Sequence, residues 1–382
     1  MQVTDFHFAG VACGIKSSGD LDLGLVVSAR PAVAAAVFTQ NQVPAAPVLL
    51  SREVMASGVL RACVVNSGNA NACTGARGLA DARAMQERTA ERLDVDPAAV
   101  AVASTGVIGE PLPMSSLVSG IAAAEPSADG FDAFSRSILT TDRGPKVAER
   151  KVGTATLIGC TKGAGMIAPN MATTLTFVAT DAAIERVDLD RALRDGCAES
   201  FNAICVDGDT STNDMILAMA NGAAGPVDVA AFTTALDELL SELATALIRD
   251  GEGVHHVVRV EVTGARDDAS ARRVARAIAL SPLVKTAIAG CDPNWGRFVA
   301  AAGNAGVPLD QSLIGLHIAG IEVVAGGIAA PGWPACEREV AEIMKNSEYS
   351  VTLNLGLGAS SAHYLACDLS HDYVRINADY RT

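Results

Sequence analysis

Lys162 to Asp181 reads Lys-Gly-Ala-Gly-Met-Ile-Ala-Pro-Asn-Met-Ala-Thr-Thr-Leu-Thr-Phe-Val-Ala-Thr-Asp, with no charged residue between its two ends. Gly163, Gly165, Pro169 and Asn170 punctuate the first half as a loop. Thr173 to Thr180 is rich in the β-branched and aromatic residues of a strand. A threonine where an apolar loop enters a strand is a candidate nucleophile, Thr173 or its neighbour Thr174. Its hydroxyl attacks poorly without an adjacent base. Thr173 can supply its own if the bond to the small residue Ala172 is cut. The freed α-amine, with a pKa of about 8, then lies beside Oγ, which is the N-terminal threonine device. A Gly/Pro loop suits the N-to-O acyl shift that such a cut requires. The plain alternative is a threonine-rich strand with no chemistry.

Ser104-Thr-Gly-Val-Ile-Gly109 follows the apolar run Val100–Ala103. We read it as a turn whose glycine exposes backbone N–H groups, either for a developing oxyanion or for nothing beyond the turn. Thr140-Thr-Asp142, Asn202 to Asp214 and Asp250-Gly-Glu-Gly253 are polar loops beside apolar runs. Asp207, Asp209 and Asp214 lack the glutamate that a calcium loop needs, so a hydrogen-bonded loop lining a pocket is expected. Glu252, between two glycines, is placed to meet a cationic ligand group or simply to turn the chain after a helix. The histidines offer no Ser-His-Asp or Cys-His arrangement. His255 and His256 are adjacent and read as structural, on opposite faces of a strand. Neither a Walker A pattern nor a strand-borne Gly-x-Gly-x-x-Gly is present, so nucleotide use is unsupported.

The elements that must carry these residues follow from periodicity. Leu25–Val27, Val33–Thr39 and Ala62–Val65 read as strands. Arg77–Leu93 and Ala269–Leu280 read as helices, and so does Ala335–Met344. The helix Asp228–Ile248 is stronger, with Phe232, Leu236, Leu239, Leu243 and Leu247 at helical spacing and Asp228 as its N-cap. His256–Thr263 alternates as a half-buried strand. Leu313–Val324, Ser350–Gly356 and Tyr373–Asn377 are expected strands, and Ala124–Gly130 an exposed loop. Strands and helices alternate without Rossmann or barrel spacing, so an α/β or α+β layered sandwich is expected.

At 382 residues the chain exceeds the usual size of one core, and two domains are the default. The net charge of −14 argues against nucleic acid or an anionic membrane as partner. The uncharged stretches Pro31–Ser51 and Ser350–Cys367 carry Gln, Asn, Pro, His or Gly and read as buried elements rather than membrane spans. The nine cysteines are scattered without Cys-x-x-Cys. With no secretory signal visible at the N-terminus, they suggest a reduced cytoplasmic protein with neither disulfide framework nor zinc site.

Taken together, the blocks resemble the ornithine acetyltransferase family, the ArgJ enzymes of arginine biosynthesis. Lys162-Gly163 and Met166 to Thr173 match its cleavage-site motif. Asn66–Ala72, Ser104–Gly109, Asp207–Asp214, Asp250–Gly253, Ser281–Thr286, Gly290–Arg297 and Tyr373–Thr382 match in order over nearly the whole chain. The resemblance implies a sandwich shared with DmpA-type aminopeptidases and a smaller C-terminal α/β subdomain from about 280 to 382. It implies a precursor cut between Ala172 and Thr173 into an α-chain (1–172) and a β-chain (173–382), associated as α2β2. Thr173 would take acetyl from N-acetylornithine and pass it to glutamate, with no metal or organic cofactor, and acetyl-CoA stays open as a second donor. Thr105 and Gly106 would form the oxyanion hole. Thr141, Lys162, Thr173, Glu252, Asn377 and Thr382 match the substrate-contact positions. By charge, Lys162 suits the substrate α-carboxylate and Glu252 the ornithine ammonium. The competitors are an amidohydrolase or aminopeptidase on the same scaffold and a non-catalytic amino-acid-binding protein. Thr174 stands where many relatives carry methionine, and Val254-His255-His256 where Ala-Thr-Lys is frequent.

Overall fold

The computed structural model describes residues 1–168 and 174–379. They group into two compact units, 1–202 with 209–247, and 203–208 with 248–379.

In the first unit β1 (Phe6–Val11), β2 (Leu23–Phe38), β3 (Val59–Asn69), β4 (Val100–Val107), β5 (Lys146–Val152), β6 (Ala155–Lys162) and β7 (Leu175–Ala183) precede β9 (Met215–Pro226), while β8 (Ile204–Cys205) belongs to the second unit. The sheet runs β4-β3-β2-β9-β7-β6-β5, with β1 on β2. β4 is parallel to β3, and β7 to β9. The segments Leu25–Val27 and Val33–Thr39, expected as separate strands, join in β2. Its register against β3 shifts between Val27 and Ala32, where Pro31 interrupts the run.

β7 is buried on both sides, and alternation along it shows why. Phe177 stacks edge-on against Phe134 of helix Phe131–Ser137, with ring centroids 5.2 Å apart. Val178 points to the opposite face, where β6 carries Gly159. Leu239 and Leu243 of helix Val229–Arg249 fill the space a side chain at Gly159 would need. Helices therefore cover both faces, the layered α/β arrangement expected. Each fully buried leucine of that helix contributes roughly 1.5–3 kcal/mol. The expected cap is present: Asp228 Oδ1 accepts from the Ala231 N–H at 2.8 Å.

The second unit contains β10 (Val257–Ala265), β11 (Gly315–Ile318), β12 (Ile321–Ala325), β13 (Ile328–Ala329), β14 (Glu348–Asn354) and β15 (Ser360–Cys367). Its sheet order is β13-β12-β11-β14-β10-β15-β8. Its main stretch begins at Ile248, whereas the resemblance implies a subdomain from about 280; β10 is an inner strand and helix Asp268–Leu280 packs its apolar face into the same core. Leu313–Val324 is not one strand. Ala319 and Gly320 both take positive φ and fold it into the β11–β12 hairpin. Tyr373–Asn377 is not a strand either, but lies in helix His371–Asp379. Five alternating residues fit either period, and an Asp372–Arg375 ion pair at i,i+3, 2.8 Å, supports the helix. Among the described residues no helix is long and apolar enough to cross a membrane, and no cluster of three or more metal-type side chains occurs.

Candidate functional site

Thr105 and Gly106 lie in β4 itself, not in the turn expected from the sequence. The strand continues through Val107, although the ladder to β3 is irregular at Asn69. Gly106 has φ +131, and a Cβ there would sit 2.3 Å from the Gly68 carbonyl carbon and 2.5 Å from the Asn69 nitrogen. Only glycine fits.

β4 is an edge strand, so alternate residues turn their N–H and C=O groups away from β3. Which ones do so is visible from their partners. Ser51 Oγ donates to Val102 O at 2.6 Å and accepts from Val102 N–H at 2.8 Å. Asn213 Nδ2 donates to Ser104 O at 2.8 Å. Strand periodicity puts the Gly106 N–H on that same outward side.

The same Asn213 amide donates to Ala70 O at 2.6 Å, so it ties the end of β4 to the loop after β3. Two residues on, Met215 N–H donates to Thr174 O at 3.0 Å. The outward edge of β4 and the start of β7 are thus held to one short segment. Around them Ser104 Oγ donates to Asn66 Oδ1, Asn66 Nδ2 to Asn69 O, and Asn71 N–H to Asn69 Oδ1, at 2.6, 2.9 and 2.8 Å. Thr174 itself is buried. Its Oγ1 donates to Lys162 O at 2.8 Å and joins a chain with Thr161 and Thr176. That hydroxyl serves the strand, which separates Thr174 from the nucleophile role. Thr173, Ala172 and Thr382 lie outside the described residues.

A second cluster forms where β5 and β6 begin and end. Asp142, its side chain fully buried, accepts from Lys146 Nζ at 2.5 Å and from the Gly163 N–H at 2.7 Å. The Thr140 N–H donates to its other oxygen at 2.9 Å, and Lys162 Nζ to Thr140 Oγ1 at 3.2 Å. Thr141 sits between Thr140 and Asp142 in the same turn. Burial pushes the Asp142 carboxyl up, but the ammonium groups of Lys146 and Lys162 and the Gly163 N–H outweigh it, and hold it below the ordinary carboxylate range. Lys16 lies within electrostatic range of both Lys162 and Asp142.

In the second unit the structure brings Glu252 and Asn377 together, with Asn377 Nδ2 donating to Glu252 Oε2 at 2.9 Å and to Tyr373 O at 3.1 Å. Glu252 is buried. The turn depends on Gly253, at φ +67, where a Cβ would meet the Tyr373 nitrogen at 2.3 Å. Ser370 Oγ closes it by donating to Gly253 O at 2.6 Å. His255 bridges Asp368 and Asp372 at 3.3 and 3.2 Å, and it lies with His256 just ahead of β10 rather than on the strand expected.

These blocks can be set against known proteins. A family model described as the ArgJ family matches residues 7–382. The chain belongs to the ArgJ family. The protein called arginine biosynthesis bifunctional protein ArgJ in Geobacter sulfurreducens is 48% identical over 401 residues, covering 100% of each chain. Its namesake from Thermus thermophilus is 45% identical over 99% of this chain and 98% of its own. A crystal structure of the ArgJ protein of Bacillus halodurans is 40% identical with a TM-score of 0.51, over 53% of this chain and 98% of that one. The chain is therefore an enzyme, of the acyltransferase class expected, with an ArgJ-type α/β fold.

Asn213, Asp142, Lys146 and Lys16 received no role from the sequence. Asn213 and Asp142 lay inside quoted polar blocks. Nothing local distinguished Asn213, because its partner Ser104 lies 109 residues away, whereas Asp142 and Lys146 pair at i,i+4 in a pattern that a surface ion pair shares.

Proposed function

We propose that this ArgJ-family enzyme is a glutamate N-acetyltransferase that moves acetyl from N-acetylornithine to glutamate through an acetyl-Thr173 intermediate, after cutting itself between Ala172 and Thr173. Thr173 Oγ attacks the acetyl carbonyl while its proton passes to the Thr173 α-amine. The Thr105 hydroxyl and the Gly106 N–H receive the negative charge that builds on the carbonyl oxygen. Collapse breaks the C–N bond, and the α-amine returns the proton to the leaving ornithine. The glutamate amine then attacks the ester, the C–O bond breaks, and the proton it sheds restores Thr173. The observation that carries this reading is that Asn213 bonds to Ser104 O, two residues before Gly106 in β4, while Met215, two residues further on, bonds to Thr174 O ahead of β7.

Lys162 serves the α-carboxylate, with Thr141 beside it. Glu252 and Asn377 serve the ornithine ammonium, and Thr382 completes the contacts. Two chains, 1–172 and 173–382, assemble as α2β2 in the cytoplasm. Support for the cut comes from the Bacillus halodurans ArgJ chain, which is matched over 98% of its length yet accounts for only 53% of this one. The relatives' names call them bifunctional, so acetyl-CoA is the second donor to assay.

Mass spectrometry should find two fragments, the second beginning Thr-Thr-Leu-Thr. Thr173→Ala should leave one chain of 39.1 kDa without transfer activity, and Thr173→Ser should still process. N-acetylornithine with glutamate should yield N-acetylglutamate. Acetate alone would make the protein a hydrolase, and normal turnover by Thr173→Ala would sink the mechanism.

A further inference from the structure

Sequence alone offered no Cys-His arrangement, but the fold of the second unit makes one from residues 35 positions apart. Cys291 follows helix Pro282–Ala289, and its backbone is left-handed, with φ +48. The Cys291 N–H donates to Ile288 O at 3.0 Å and the Asp292 N–H to Ala287 O at 2.9 Å, which closes the helix end. Glycine or asparagine is the common choice in such a turn. Here it carries a half-buried thiol that packs against the core of the second unit. Cys291 Sγ donates to Met344 O at 3.5 Å and lies 3.9 Å from His256 Nε2. The other ring nitrogen, His256 Nδ1, stands 2.9 Å from Asn346 O. A carbonyl only accepts, so Nδ1 carries the proton of that bond, and Nε2 of the neutral ring keeps its lone pair for the thiol. Val258, two residues after His256, is paired with Tyr349 of β14, so alternation places Tyr349 on the face that His256 meets. The Tyr349 hydroxyl is buried without a hydrogen-bond partner among the described residues and is a spare donor on that face.

A thiol beside an imidazole that a third group orients is the arrangement that activates a cysteine. A protonated imidazole beside sulfur favours the thiolate, which is the nucleophilic form. We infer that Cys291 is a modification site whose thiol, deprotonated by His256, takes small oxidants of the peroxide class. The Cys291 proton moves to His256 Nε2, and the sulfur attacks one oxygen of the peroxide. An S–O bond forms as the O–O bond breaks. Sulfur gives up two electrons and the peroxide takes them. The leaving hydroxide collects the proton from the imidazolium, so the products are a sulfenic acid and water. The other cysteines supply the contrast. Cys63, Cys160, Cys197, Cys205 and Cys367 are buried, and burial pushes their thiols up. Cys73 is exposed, whereas Cys291 is half-buried, yet among the described residues no histidine hydrogen-bonds to Cys73. The inference stands apart from the acyltransferase reading and does not rest on it.

The test uses the purified protein near neutral pH. It is treated with iodoacetamide, or with hydrogen peroxide followed by dimedone, and each cysteine is followed by peptide mass spectrometry. Exposure alone ranks Cys73 first, whereas the thiol–imidazole pair ranks Cys291 first. Cys291 should be alkylated at least about threefold faster than Cys73, the net of a larger thiolate fraction and a lower intrinsic nucleophilicity. Dimedone should collect on Cys291 before Cys73. His256→Gln should slow Cys291 by a similar factor and leave the Cys73 rate unchanged. The five buried cysteines should stay unlabelled throughout. Their labelling in the variant would report unfolding, and the order of Cys291 and Cys73 in the unsubstituted protein then decides. Faster reaction at Cys73 than at Cys291, or a Cys291 rate indifferent to His256→Gln in the folded variant, overturns the inference.

Discussion

Two buried polar networks hold the first unit's candidate site, and they are made of opposite materials. One is neutral: Asn66, Asn69, Asn71, Ser104 and Asn213 bond to one another and to backbone carbonyls at the ends of β3 and β4. The other is ionic, with Asp142 held by Lys146, in range of Lys162, and bonded to the Gly163 N–H. Amide hydrogen bonds are directional and carry no net charge, so the neutral network fixes where backbone N–H groups point at any ordinary pH. The ionic network costs desolvation and depends on protonation, and it gathers ammonium groups around one buried carboxylate. A neutral frame thus suits the oxyanion side of an acyl transfer, and a charged one suits recognition of amino-acid ends.

Breaking either network should produce a different failure. The largest effect is expected from Gly106→Ala, whose Cβ has backbone atoms at 2.3 and 2.5 Å. The strand must move, the proposed oxyanion donor is displaced, and transfer should fall by at least 10²–10³-fold, the scale for one such donor. Near-normal kcat in this variant would remove Gly106 from the site. Next, Asp142→Asn breaks the buried Lys146–Asp142 ion pair and should cost about 3–5 kcal/mol in urea unfolding, the scale for breaking a buried pair. A loss below 1 kcal/mol would show that the ionic network does not hold the fold. Asn213→Ala removes two bonds to buried carbonyls and should cost about 1–3 kcal/mol. Its kcat should fall while the KM for N-acetylornithine changes little, because a neutral frame positions catalysis rather than charge. A matching rise in KM would blur the distinction between the networks.

The smallest effect is a pH dependence. The folded-state pKa of Asp142 is depressed, so its contribution is fully present above the unfolded value of about 3.9 and is lost as pH falls through the folded one. Stability should therefore decline below about pH 4, and Asp142→Asn should flatten that limb. The Asn213→Ala variant should keep the wild-type acid profile, displaced by a constant amount. If both variants gave the same profile, the networks would not be electrostatically distinct.

Several elements were legible because their signals are local. The leucines of Val229–Arg249 recur at helical spacing and its aspartate cap sits one residue ahead, so a short window contains the whole pattern. The same holds for Asp268–Leu280 and for β10. Tyr373–Asn377 failed because five alternating residues cannot separate period two from a helical turn, and the ion pair that supports the helix begins just outside that window. Thr105 and Gly106 were recognised as a pair but assigned to a turn. The partner strand β3 that extends β4 through Val107 is distant in sequence.

By itself, the sequence determined the identities that the proposed chemistry requires: a threonine after a small residue in a Gly/Pro loop, a glycine beside Thr105, and the ordered blocks that mark the ArgJ family. Those are properties of residue type and order. Only the tertiary structure decided which way the Gly106 N–H points, that Asn377 reaches Glu252 across 125 residues, and that Cys291 meets His256 across 35. Each depends on a sheet edge, a helix turn or a folded loop that brings distant residues together. No local window of sequence records such a meeting.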